Sequence, residues 1–295
     1  MVVTKNGWRT ALLGVRMFQR GCIGLLSICA TSLALVMSHA NAGEVTGRIV
    51  CDKTTKYCLI KGLGIKGEID DTTLSSLTQL IENFNRQRDP NDQTNALTGT
   101  EVKLNSPGGS VPASMAIGRL LRQHRMTAEV KPGVVCNSAC VLIYAGAVVR
   151  LGHFGKIGIH QPYFEVPRQA VQPDTLKNSY ATILRDMRSY LLEMNVSEQL
   201  ADEMLKTRSS DIRYLTPDEQ DQFGLDTFDP VEREVRNVEH AKKLGLDRRE
   251  YNRRDALVLK VCPLDSGYAN CYNEVYKTGR EPEILKPSQY GTPVN

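Results

Sequence analysis

A serine hydroxyl attacks a carbonyl at neutral pH only when a base takes its proton and hydrogen-bond donors hold the oxyanion that forms. Three short stretches of this sequence carry groups of those types. Val134-Val135-Cys136-Asn137-Ser138-Ala139-Cys140-Val141-Leu142-Ile143-Tyr144-Ala145-Gly146 is an apolar run with one hydroxyl, Ser138, at its sharpest bend. Upstream, Val102-Lys103-Leu104-Asn105 reads as a strand that breaks into Ser106-Pro107-Gly108-Gly109. Such a Gly-Gly turn offers a backbone N–H unobstructed by side chains, and the first turn of a helix starting at Ser138 offers another from Ala139. Downstream, Ile157-Gly158-Ile159-His160-Gln161-Pro162 reads as a short strand ending on His160, the candidate base. Each residue has a plainer reading: a buried serine at a strand–helix junction commonly caps the helix, and a lone histidine is more often structural than catalytic. The three stretches in this order favour the nucleophile and its base.

That order, Asn-Ser-Pro-Gly-Gly, a serine 29 residues past the second glycine, then Ile-His-Gln-Pro, resembles the proteolytic subunit of the Clp protease and its relatives in the crotonase-like superfold. The resemblance spans roughly Leu59 to Asp229. It implies an α/β fold built as a ββα-repeat superhelix, with Ser138 as nucleophile, His160 as general base, and the N–H groups of Gly109 and Ala139 as the oxyanion hole. It also implies a third member. Asp211-Ile212-Arg213-Tyr214-Leu215-Thr216 resembles the family segment in which an aspartate precedes an aromatic-Leu-Ser/Thr helix cap. Asp211 is therefore expected to orient His160, although it stands one residue farther from Tyr214 than the Clp spacing, with Ile212 at the strict position. A one-residue bulge would restore the geometry; otherwise a dyad, or another acid, is expected. The order Ser, His, Asp disfavours an α/β-hydrolase, whose elbow is Gly-x-Ser-x-Gly and whose order is Ser, Asp, His. A serine–lysine dyad would turn to Lys156.

The elements expected to hold these groups follow from periodicity. Leu63–Ile69 reads as a strand, Asp70 or Asp71 as a cap, and Leu74, Leu77, Leu80, Ile81 and Phe84 as a helix face. A helix over 111–123 and strands over 127–130, 148–151 and 156–159 follow. Next come a long segment over 162–173 beside His160, either an ordinary long loop or a substrate-binding lid, the resemblance implying a place near the substrate groove and subunit contacts, and helices from Asp174 and Ser197. Beyond Pro230 the pattern changes to a charged helix carrying Val231, Val235 and Val238, then a basic stretch over 248–254, a cysteine-flanked loop, and a proline-rich tail after Gly279.

Residues 1–42 carry four basic and no acidic residues, a 16-residue apolar run from Cys22 to Met37, and Ala40-Asn41-Ala42. This reads as a secretory signal cleaved near Ala42; the alternative is an uncleaved anchor, although the run falls short of the ~18 residues a span needs. Its removal takes four of the 37 Lys and Arg and none of the 33 Asp and Glu. The remainder is neutral, and no nucleic-acid partner follows from charge. Six cysteines remain. An even number in an exported chain reads as disulfides, with 15 connectivities open. Local pairs are the simplest: Cys51 with Cys58 as a stapled hairpin within 43–60, and Cys262 with Cys271 around a loop. Cys136 and Cys140 either form a bridge across Ser138 or are two small buried residues. Zinc lacks a Cys-x-x-Cys spacing and a nearby histidine.

The expected organisation is a signal (1–42), a Clp-like catalytic domain (43–229) and a C-terminal extension (230–295). The expected function is a periplasmic or secreted serine peptidase acting on flexible polypeptides. No metal, organic cofactor or ATPase partner is expected, because an exported chain cannot count on ATP; homo-oligomers are expected by family analogy. An inactive binding or scaffold module is the alternative, and an acyl-CoA enzyme a weaker third.

Overall fold

Alternation of apolar residues, with Gly47 and Gly62 at positive φ where it slips, builds the first hairpin: β1 (Glu44–Cys51) antiparallel to β2 (Cys58–Ile69), closed by the Cys51–Cys58 disulfide. The structure, a computed structural model, describes residues 43–54, 57–89, 97–163, 173–225, 227–263 and 267–282. The expected leader, the part of the His160 segment from 164 to 172 and the proline-rich tail from 283 lie outside the described residues.

After β2 the chain alternates helix and strand. Asp70 closes a capping box with Thr73 and starts α1 (Asp71–Gln87), whose Leu77, Ile81 and Phe84 are buried. Strand β3 (Glu101–Gly109) leads through the N-cap Ser110 into α2 (Val111–Gln123). Then come β4 (Thr127–Glu129), β5 (Val135–Asn137), α3 (Cys140–Gly146), β6 (Val149–Leu151) and β7 (Lys156–Ile159). Helices α4 (Pro173–Glu193) and α5 (Gln199–Leu205), strand β8 (Arg213–Tyr214) and helix α6 (Pro217–Gln222) complete the region.

Strand β3 changes partners halfway along. Its residues Glu101–Lys103 pair in parallel with β4, which pairs with β6, while Ser106 pairs with Cys136 of β5. The main path is therefore β1-β2-β3-β5-β7-β8, with β4 and β6 branching from β3. Every residue of α3 is buried, as an all-apolar helix must be. It packs on α2 where a Cβ on Gly146 would come within 2.4 Å of the Gly118 Cα. Tyr190 of α4 seals the crossing by donating its hydroxyl to the Leu142 carbonyl at 2.7 Å.

The region beyond 230 is three helices: α7 (Pro230–Lys243), α8 (Arg248–Val261) and α9 (Tyr268–Thr278). Cys271 lies within α9, so the Cys262–Cys271 disulfide ties two helices where the sequence reading expected a stapled loop. The missed signal is Tyr268, Cys271, Tyr272, Val275 and Tyr276, a helical spacing that packs against Tyr251 and Val258 of α8. The basic stretch is largely spent in ion pairs: Arg248 with Glu234, and Arg253 and Arg254 with Glu250, whose carboxyl they lower to about 2. Among the described residues no helix is long and apolar enough to cross a membrane.

Buried charge bolts α7 to the sheet-bearing region. Asp229, 1% exposed at its side chain, accepts from Arg122 and Asn195 and caps α7 through the N–H groups of Val231 and Glu232. Fully buried Arg150 lies 3.9 Å from it and donates to the carbonyls of Gly224 and Ala145, while Glu232 is held by Arg125 and Arg236. Burial alone would raise the pKa of Asp229 and Glu232, but the hydrogen bonds from Arg122 and Asn195, and from Arg125 and Arg236, outweigh it and hold both below the usual carboxylate range. Stability from these depressed groups is fully present above their unfolded pKa values near ~4 and is lost as pH falls through the folded ones. Thermal melts from pH 7 to pH 2.5 are expected to show Asp229→Ala destabilised by about 3–5 kcal/mol at pH 7, with the gap to wild type narrowing in acid.

Candidate active site

Ser138 sits between β5 and α3 with φ 55°, a left-handed conformation that residues with a Cβ seldom adopt. Its N–H donates to the Gly158 carbonyl at 2.8 Å, and its own carbonyl accepts from Val141 at 3.0 Å. On the other side lies Gly108, where a Cβ would meet the Ser138 Cβ at 2.6 Å and the Asn137 carbonyl at 2.9 Å. Only glycine fits there, and at φ 112° only glycine is at ease. The Gly-Gly turn and the serine elbow are therefore in direct contact.

Strands β5 and β7 run parallel with Asn137 opposite Gly158, so Ser138, one residue past the end of β5, and His160, one residue past the end of β7, leave neighbouring strands at the same end of the sheet. The imidazole is buried, 6% exposed, and Nδ1 lies 2.8 Å from the Gln161 carbonyl. A carbonyl only accepts, so this contact puts the proton of the neutral ring on Nδ1 and leaves the Nε2 lone pair free to take one. The Gln161 N–H donates in turn to the Thr207 carbonyl at 2.9 Å, which anchors the residue whose carbonyl meets the ring. No hydrogen bond joins Ser138 to His160 among the described residues; such contacts often close only when substrate arrives.

Two backbone donors face the same space. Ser110 donates to the Ile69 carbonyl, and successive N–H groups of a strand point to opposite sides, so the Gly109 N–H points away from β2. A Cβ on Gly109 would come within 2.2 Å of the Ile69 carbonyl oxygen. The Ala139 N–H, 3.2 Å from a Cβ built on Gly108, has no hydrogen-bond partner among the described residues. Ser138, His160 and the N–H groups of Gly109 and Ala139 thus lie at the carboxyl ends of β3, β5 and β7.

Asp211 is not brought to this group. Its carboxylate is bonded to Arg208 at 2.9 Å and to the Ser210 hydroxyl at 3.1 Å, and these, Arg208 first, hold its pKa below the usual range. The bulge that would bring Asp211 into register is absent from the β7–β8 pairing, where Arg213 faces Ile159 and Tyr214 faces Gly158. That register sets Ile212 opposite His160, and a Cβ on Gly158 would meet Ile212 Cγ2 at 2.8 Å. The side chain that reaches β7 from this segment is therefore Ile212, 40% exposed, while the Asp211 carboxylate stays on Arg208 and Ser210.

The other candidates sit elsewhere. His153 is bonded to Asp221, burial pushes the His124 pKa down, and the Lys156 ammonium lies over the Tyr214 ring. Among the described residues no group of three or more His, Cys, Asp or Glu is placed to hold a metal ion. The Cys136–Cys140 bridge is present, with its Cα atoms 5.2 Å apart. Sequence reasoning passed over Gly158 and Asn137. The Asn137 Oδ1 is buried without a partner among the described residues, 2.3 Å from where a Gly158 Cβ would stand. A glycine two residues before the histidine was the available signal.

The fold is the crotonase-like α/β fold. A sequence model of the family described as Clp protease matches residues 65–227, more than half of the chain. The chain belongs to the Clp protease family of peptidases, whose members are typically oligomeric and act on polypeptides. No curated protein matches the chain. Among solved structures it is similar to a variant of the membrane-bound stomatin-specific protease 1510-N, at 22% identity and a TM-score of 0.40, covering 55% of this chain and 74% of that one. It is also similar to a variant of ClpP1 from Listeria monocytogenes, at 17% identity and a TM-score of 0.39, covering 55% and 84%.

Steady-state peptidase assays on two variants separate the groups that touch Ser138 from the one that does not. Gly108→Ala is expected to abolish activity in a chain that still folds. Asp211→Asn is expected to keep kcat/KM within about threefold of wild type, whereas an orienting carboxylate would cost up to ~10⁴-fold.

Proposed function

We propose that this chain is an exported serine peptidase that cleaves flexible or unfolded polypeptides, without an ATPase, through an acyl-enzyme on Ser138. His160 takes the Ser138 proton on Nε2 as Oγ attacks the carbonyl, and returns it to the leaving amine. The N–H groups of Gly109 and Ala139 receive the oxyanion of the tetrahedral intermediate. The Gln161 carbonyl does the orienting that a carboxylate does in a triad, so the pair works as a dyad with a backbone support.

The observation that carries this reading is the left-handed Ser138, pinned between Gly108 and Gly158 with the buried His160 one strand away. Family membership supports a peptidase acting on polypeptides and a homo-oligomer. Export is supported by the basic and apolar leader and by three disulfides, which persist in oxidising compartments. A second reading, a catalytically inactive scaffold module of the envelope, is favoured by the placement of Asp211 on Arg208.

A fluorophosphonate probe, mapped by mass spectrometry on the oxidised protein, discriminates the two. Label on Ser138 is expected, absent in Ser138→Ala and slowed by about 10²- to 10⁴-fold in His160→Ala, with casein hydrolysis falling in parallel. Folded protein that takes no label is the scaffold.

A further inference from the structure

We infer that the Cys136–Cys140 disulfide is a positioning device for the nucleophile: it holds the arc that keeps Ser138 left-handed, so that the reactivity of the hydroxyl depends on the bridge. The inference rests on the reading of Ser138 as nucleophile.

Four residues of strand would carry the chain ~13 Å, yet the Cα atoms of Cys136 and Cys140 are 5.2 Å apart. The chain must fold back over 137–139, and the one residue of that arc at positive φ is Ser138. Both ends of the arc are anchored. Cys136 pairs with Ser106 on one side and Ile157 on the other, and Cys140 opens the buried helix α3; both cysteines are 0% exposed.

What the arc lacks is a cap. Helices α1, α2, α6, α7 and α8 each begin with a side-chain acceptor, from Asp70, Ser110, Thr216, Asp229 and Asp247, whereas α5 and α9 begin without a side-chain cap, as α3 does. At α3 the N-cap position is Ala139, which has no such group. A serine hydroxyl turned back to cap α3 would be unavailable for attack, so the first turn needs another restraint, and the bridge supplies it covalently at the first helical residue. The other two disulfides do different work, closing a hairpin and joining α8 to α9. The bridge also confines a working elbow to chains matured where disulfides form.

The test compares three oxidised proteins: wild type, Cys136→Ala/Cys140→Ala, and Cys262→Ala/Cys271→Ala. Fluorophosphonate labelling rate, kcat, KM and Tm are measured on each. Loss of the elbow bridge is expected to lower labelling rate and kcat together by about 10- to 100-fold, the cost of a nucleophile misplaced by about an ångström, with KM within about threefold. Loss of the α8–α9 bridge is expected to lower Tm and leave labelling unchanged. Labelling at the wild-type rate in a folded Cys136→Ala/Cys140→Ala protein overturns the inference. If that variant does not melt cooperatively, wild-type protein is refolded with tris(2-carboxyethyl)phosphine, which is oxidised to its phosphine oxide with oxygen from water, the water protons going to the two thiols left in place of each of the three bridges. Wild-type labelling by that folded dithiol form overturns the inference, as does failure of both forms to fold, because the bridge would then serve the fold. Wild type that takes no label defeats the reading of Ser138 itself, a separate result.

Discussion

The backbone of Ser138 is the constraint on which the rest of the site depends. A residue with a Cβ rests in the left-handed region only where its surroundings leave no alternative, and here those surroundings are specific. The Gly158 carbonyl holds the N–H, Gly108 leaves no room on the other side, and a disulfide closes the arc. Each restraint comes from a different strand. The parallel run of β3, β5 and β7 is therefore not just a platform for the elbow but the source of the pressure that makes it.

The same crowding explains the histidine. A Cβ on Gly158 would meet both Asn137 Oδ1 and Ile212 Cγ2, so glycine lets β7 pass this close to the elbow on the way to His160. The Asp211 carboxylate is held by Arg208 and Ser210, and the ring turns instead to the Gln161 carbonyl. A carbonyl can fix the tautomer as a carboxylate does. It carries no full charge to stabilise an imidazolium, so under the proposed mechanism slower chemistry than a full triad is expected.

Much of this was legible in the sequence because it is local. Asp70 and Thr216 announce their helices, Val111–Gln123 carries its own periodicity, and Gly108, Ser138 and His160 lie within motifs whose order survives whatever the loops do. The paired cysteines were legible for the same reason, each pair being close in sequence. What escaped depends on contacts between distant segments. That Tyr214 and Arg213 pair with Gly158 and Ile159, which leaves Asp211 outside the ladder and in a turn with Arg208, follows from a strand register set across more than fifty residues. That Arg150 and Asp229 are buried together required two segments 79 residues apart to meet, and neither segment announces it. Helices α8 and α9 were hidden differently: charged and aromatic residues blurred a spacing that becomes plain once Tyr251, Tyr272 and Tyr276 are seen to share one small core.

The most direct measurement is the intact mass of the protein, acid-quenched during turnover of a peptide ester and then digested. An acyl group on the peptide containing Ser138, appearing before the product of hydrolysis and absent when His160 is replaced by alanine, is predicted. Hydrolysis that proceeds with Ser138 unmodified, or with the acyl group on another residue, would contradict the assignment of Ser138 as nucleophile.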